Sequence, residues 1–299
     1  MNKGIWNGLA AYALWGFFPI YWKLLHEVPA LQVIGHRIGW SFILLIAVIL
    51  LTRQWEDFRS AALAPKVMGI YAIAGVLLSI NWLIYVWGVN SGFIVETSLG
   101  YFINPLISVL LGVVFLRERL RAMQWVPVGL AAAGVIYLTV TYGRLPGIAL
   151  SLAVSFGVYG LVKKLAPLGS LYGLTLETAL VFPIALIYLA FVQSRGTGAF
   201  LHQGALTDIL LIGTGVVTSI PLLMFASAAR QIPLTMIGVL QYIAPTLQFL
   251  IGIFLYHEPF DRSRLIGFSL VWLALIIFWV ENYLAYRVPV QPIPELGEG

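Results

Sequence analysis

The chain contains no cysteine, so it can form no disulfide, thiolate metal site or cysteine nucleophile. It is also short of charge. Asp, Glu, Lys and Arg make up 10% of its 299 residues, against about 25% in a soluble domain. That is too little to cover a globular surface. Asp57, Asp208 and Asp261 are its aspartates, all in or near polar connections. No two histidines have metal-ligand spacing, no glycine-rich loop could cradle a phosphate, and no nucleophile has an obvious base. These gaps argue against an enzyme, a metal or cofactor site and an ATP-driven pump. The net charge of +5 comes from scattered residues rather than a basic cluster, so no nucleic-acid partner is expected.

What remains is apolar: 61% of residues are hydrophobic and the mean hydropathy is +0.95. Windows of about 20 residues predict ten spans, near 4–22, 31–52, 67–89, 93–116, 123–141, 145–163, 171–192, 205–229, 234–256 and 264–286. The fold class expected is an all-α integral membrane protein with a lipid-facing exterior. Ala11-Tyr12-Ala13 resembles a cleavage site but lies mid-run, so the first segment is expected to be a membrane helix. With the N-terminus inside, inner segments hold 11 of the 17 Lys and Arg, outer segments 5, and Arg37 lies within a span. That bias predicts two cytoplasmic termini. The Pro- and Gly-rich tail, 287–299, is expected to be disordered.

The stretch ETSLGYFINPL (96–106) sets an acid, an amide and a proline inside an apolar run, and GVLQYIAPTLQ (238–248) does much the same. A shift of 140 lays Ile103 on Ile243, Pro105 on Pro245, Leu110 on Leu250, Gly112 on Gly252 and Glu118 on Glu258. It also lays Arg37 on Glu177. Two units follow, 1–141 and 142–286, of five spans each. An odd number makes the second enter the membrane from the opposite side, so the repeats are inverted. Pro105 and Pro245 each leave a carbonyl without its helical donor, which predicts kinks that face the interior of the bundle.

Ionisable groups inside a membrane are expensive. Arg37 and Glu177 either pair and fix the two halves together, or handle substrate and protons. Glu96 is either interfacial and solvated or part of the same function. A carboxyl at Glu177 or Glu96 that loses water in one state could exchange a proton for substrate. Asn81, Trp82 and Tyr85 form a polar and aromatic patch.

HRIGWS (36–41), NWLIYVWGVN (81–90), ETSLGYFINPL, FLRERLRAMQW (115–125), FGVYGLVKK (156–164) and QYIAPTLQF (241–249) together resemble the RarD-type permeases. These belong to the EamA branch of the drug/metabolite transporter superfamily. The resemblance runs from about Leu9 to Glu281. It implies ten helices in two inverted repeats and a secondary transporter of a small metabolite or drug in the bacterial inner membrane. An amino acid-like or chloramphenicol-like solute fits that class. It also implies a central cavity, nominating Trp15, Asn81, Tyr85, Glu96, Tyr101, Asn104, Tyr159, Gln241 and Gln248. A membrane sensor or assembly factor acting through a partner is the alternative function.

Overall fold

The protein was analysed as a computed structural model, which describes residues 3–91, 93–142 and 147–256 and short stretches between 265 and 281. Glu258, most of the predicted tenth span and the tail lie outside the described residues, as does the side chain of Glu96. Among the described residues the chain forms twelve α-helices and no strand. The first half contains α1 (Lys3–Gly16), α2 (Phe18–Leu24), α3 (Ala30–Leu51), α4 (Trp55–Ala62), α5 (Pro65–Asn90), α6 (Ile94–Phe115) and α7 (Trp125–Tyr142). The second contains α8 (Gly147–Leu165), α9 (Ser170–Ser194), α10 (Ala205–Gln231), α11 (Leu234–Gln241) and α12 (Ile243–Phe254).

Five of these helices are long and apolar enough to cross a membrane, and two shorter apolar helices lie within α6 and α7. Their outward faces are greasy: Ile184 and Ile187 on α9 are each 70% exposed. A soluble protein would bury such residues; hydrocarbon accepts them. Helices dominate because each backbone N–H and C=O must find its partner within the segment when lipid offers none. The predicted polar connection 53–66 forms the short helix α4, whose Phe58 and Ala62 pack against the bundle.

Prolines act differently at different places. The first predicted span divides at Phe17, two residues before Pro19, and the ninth divides at Tyr242, three before Pro245. Pro105, Pro183 and Pro221 instead lie inside the unbroken helices α6, α9 and α10. The carbonyl of Trp15, which Pro19 cannot serve, receives the side-chain N–H of Gln248 at 3.1 Å. A neighbouring helix therefore supplies the donor that the proline removes.

The packing pairs follow a pattern. α1 lies on α10 as α8 lies on α5, and α6 lies on α8 as α12 lies on α1. α3 crosses α9, and α6 crosses α11. Close crossings rest on missing side chains. A Cβ on Gly215 of α10 would sit 2.6 Å from the Trp40 carbonyl carbon of α3. One on Gly238 of α11 would sit 2.7 Å from the Pro105 carbonyl oxygen of α6. Small residues serve this purpose in membrane bundles, letting backbones meet. At the centre Tyr12, Tyr159, Phe225, Leu234 and Ile237 form the largest buried cluster.

Candidate functional site

Where the two halves meet, the helices do not close. A cavity of about 230 Å³ opens between α1–α2, α3, α5, α6, α8, α10 and α11–α12. Helical spacing explains its walls. Trp15, Phe18 and Trp22 recur at three- and four-residue steps across the α1–α2 break, so one face carries three aromatic rings. Asn81 and Tyr85 are one turn apart on α5; Tyr101 and Asn104 are one turn apart on α6. Gln241 and Gln248 flank the break between α11 and α12. Seven of the nine residues nominated for the cavity thus line it together, all but Tyr159 and Glu96, and Arg37 lines it with them.

Tyr159 lies behind the wall. It is fully buried and stacks on Phe225 at 5.9 Å. Phe156, one turn before it, reaches the cavity instead. The backbone of Glu96 belongs to the first turn of α6.

Several polar groups on the wall are held by neighbours. Asn81 Nδ2 donates to the Leu152 carbonyl and to Ser155 Oγ, both at 2.9 Å. Gln241 Nε2 donates to Ser108 Oγ at 3.1 Å, tying α11 to α6. Arg37 Nε donates to Thr218 Oγ1 at 3.0 Å. The guanidinium lies between two indoles, 4.7 Å from the Trp22 ring centre and 4.2 Å from that of Trp82. Ring faces attract a cation electrostatically and do so more strongly away from water.

Arg37 and Glu177 do not pair. Glu177 Oε2 accepts from Lys163 Nζ at 2.8 Å, with the two side chains 2% and 3% exposed. Pairing charges is the way a membrane bundle tolerates them. Lys163 lies in the last turn of α8 with its side chain buried, although the predicted spans place it at a segment end. The second carboxylate oxygen, Oε1, has no hydrogen-bond partner. It borders a narrow cleft among α3, α5, α9 and α10 that Arg37 also borders.

The similarities of the chain agree with this architecture. Residues 2–140 match the EamA-like transporter family. The uncharacterized transporter YojE of Bacillus subtilis (strain 168) is 48% identical over 284 residues, covering 93% of each chain. Protein RarD of Streptomyces exfoliatus is 44% identical over 276 residues, covering 92% of this chain and 88% of its own. The chain belongs to the RarD-type EamA transporters. Its fold extends over a crystal structure that is 17% identical, with a TM-score of 0.68 over 96% of this chain and 99% of that one.

In this RarD-type chain several wall residues carried no separate signal in the sequence. Trp22 and Tyr12 read as ordinary span residues that only the fold turns to the cavity, and Thr218, which holds Arg37 from the neighbouring cleft, gave no signal either. Gly4 and Gly8 have the spacing of a close helix contact, and so do Gly129 and Ala133. A Cβ on Gly4 or Gly8 would meet Gln231 or Leu240, whereas one on Gly129 would meet nothing within 4 Å among the described residues.

Glu118 has a definite partner too. Arg117 takes a left-handed conformation, φ 54°, which turns the chain after α6. The Glu118 carboxylate then accepts the N–H groups of Leu234 at 2.7 Å and Thr235 at 2.9 Å, capping α11. A carboxylate there satisfies orphan donors and meets the positive end of the helix. Glu118→Ala should destabilise the protein by about 1–2 kcal/mol, read as a lower unfolding midpoint in detergent. An unchanged midpoint would mean that water replaces the cap without loss.

Proposed function

We propose that this chain carries a small amphipathic solute, amino acid-like or chloramphenicol-like, across the bacterial inner membrane by alternating access. The observation that carries the reading is the cavity of about 230 Å³, walled by indoles, phenols and amides, in a chain that spans a membrane. Such a lining suits a ligand read by stacking and a few hydrogen bonds. Lipid could not fill it without stranding those amides. Two inverted five-helix repeats, 1–141 and 142–286, with both termini cytoplasmic, supply the moving parts. The 140-residue register and the matched pairing of α1 on α10 with α8 on α5 support that division. Rocking one repeat against the other would expose the cavity to each side in turn.

The test is uptake by proteoliposomes of labelled amino acids and aromatic amides, chloramphenicol included, with and without an imposed pH gradient. Saturable uptake of any of them supports a permease. Absence of flux from folded protein would favour a sensor or assembly factor. Glu177 is the proposed proton carrier, because one of its oxygens is buried without a partner beside a cleft shared with Arg37. Glu177→Gln keeps a hydrogen-bond acceptor for Lys163 but removes its counter-charge, so uptake is compared at equal amounts of folded protein. The variant should preserve uptake while abolishing its response to the pH gradient. A response that survives would assign the proton elsewhere and leave Glu177 as the structural partner of Lys163.

A further inference from the structure

Asn81, Gln241 and Gln248 spend their side-chain N–H groups on the protein itself, whereas Arg37 keeps donors to spare. Its Nε holds Thr218, and its guanidinium carbon lies over the Trp22 and Trp82 rings, 4.7 and 4.2 Å from their centres. No carboxylate among the described residues lies within ion-pair distance of it, and no protein acceptor among them takes up its two terminal nitrogens. Those nitrogens carry four N–H donors in one plane. Arg37 is also the one ionised side chain among the described residues lining the cavity. An arginine in a membrane interior ordinarily has a partner. Here the carboxylate that could have served, Glu177, is taken by Lys163.

We propose that the solute itself is the partner: this site takes a compound bearing one carboxylate, which docks on the open edge of the Arg37 guanidinium between the two indoles. The proposal rests on the cavity being the transport site and narrows its ligand. A planar fork of N–H groups matches a carboxylate with two parallel hydrogen bonds. One cation against one monoanion leaves no net charge in the bilayer. A phosphate dianion would leave an uncompensated charge, and a neutral amide would leave the guanidinium unpaired. The indoles attract the cation through their ring faces without consuming its N–H donors. Asn104 adds a second mark on the wall, since its side-chain carbonyl oxygen is buried with no partner. A donor group elsewhere on the same solute would satisfy it. Arylalkanoate monoanions such as phenylpropionate therefore fit the site, and chloramphenicol, which has no carboxylate, does not.

The absence of native cysteine makes a direct test available. Ala244 lines the cavity, so Ala244→Cys in the full chain places a single thiol there. Its labelling by anionic sulfonatoethyl methanethiosulfonate is compared with labelling by the cationic trimethylammonioethyl reagent, each normalised to a free thiol in solution. The anionic reagent should react about 10-fold faster than the cationic one at this charged site, and adding Arg37→Gln should erase that preference. Phenylpropionate should protect the thiol while phenylpropionamide does not. Arg37→Gln should weaken that protection about 100-fold. Thr218→Val keeps the charge but frees Nε, and should weaken protection by a smaller factor. If Arg37→Gln does not fold, Thr218→Val and the carboxylate-amide comparison decide the matter alone. Labelling with no charge preference, or equal protection by acid and amide, overturns the carboxylate assignment and leaves the cavity as a transport site. A thiol that neither reagent reaches from either side of the membrane overturns the cavity reading and the proposal with it.

Discussion

Lys163→Met is expected to destabilise the protein by about 3–5 kcal/mol, because it leaves the Glu177 carboxylate charged, buried and alone. The two side chains are 3% and 2% exposed and 2.8 Å apart, so neither has water to fall back on. Lys163 also sits beside two phenol rings, 5.3 Å from the centre of Tyr71 and 5.8 Å from that of Tyr159. Those contacts disappear with the ammonium. The companion variant Lys163→Met/Glu177→Leu removes both charges and should recover most of the loss, since an apolar pair of similar volume replaces the ion pair without desolvating anything. Chemical unfolding in detergent micelles measures all of these stabilities, including that of Glu177→Leu alone. A double variant no more stable than Lys163→Met would mean that packing rather than charge pairing dominates at this place.

Gly215→Ala should be the most damaging single methyl group in the bundle. Its Cβ would lie 2.6 Å from one Trp40 backbone atom and 2.7 Å from another, and a helix backbone cannot rotate aside as a side chain can. The helices must separate, at about 1–3 kcal/mol, and Ser41 Oγ loses its 3.3 Å reach to the Gly215 carbonyl. The effect extends to the cavity. Thr218 lies three residues past Gly215 and Arg37 three before Trp40, so the same crossing sets the 3.0 Å bond between them. Solute affinity should fall together with stability. Gly69→Ala is the matched control: that position has nothing within 4 Å among the described residues. Replacing a glycine inside a helix there should be neutral or stabilising by about 0.5–1 kcal/mol. Equal losses at the two positions, read by thermal unfolding, would remove the close-packing explanation.

Much of the candidate site was legible because membrane sequences contain so few polar residues. Asn81, Asn104, Gln241 and Gln248 stood out against an apolar background, and each has a reason to face inward: lipid provides no hydrogen-bond partner. Aromatic residues gave no such contrast. Trp82 and Trp87 look alike in the sequence, yet Trp82 lines the cavity and Trp87 is 53% exposed. Tyr159 was nominated for the wall and lies one layer behind it, because the adjacent turn of α8 turns Phe156 to the cavity.

Composition and periodicity alone determined the solvent and the helical class, since the hydrophobic effect and backbone satisfaction act on every residue in the same way. They did not determine partner choice. The 140-residue shift set Arg37 opposite Glu177, but the hairpin of α8 and α9 brings Lys163 to that carboxylate first. Arg37 is left between two indoles with its fork open. Ion pairing depends on distances of a few ångströms between residues far apart or hidden in one hairpin, and only the packed helices set those distances.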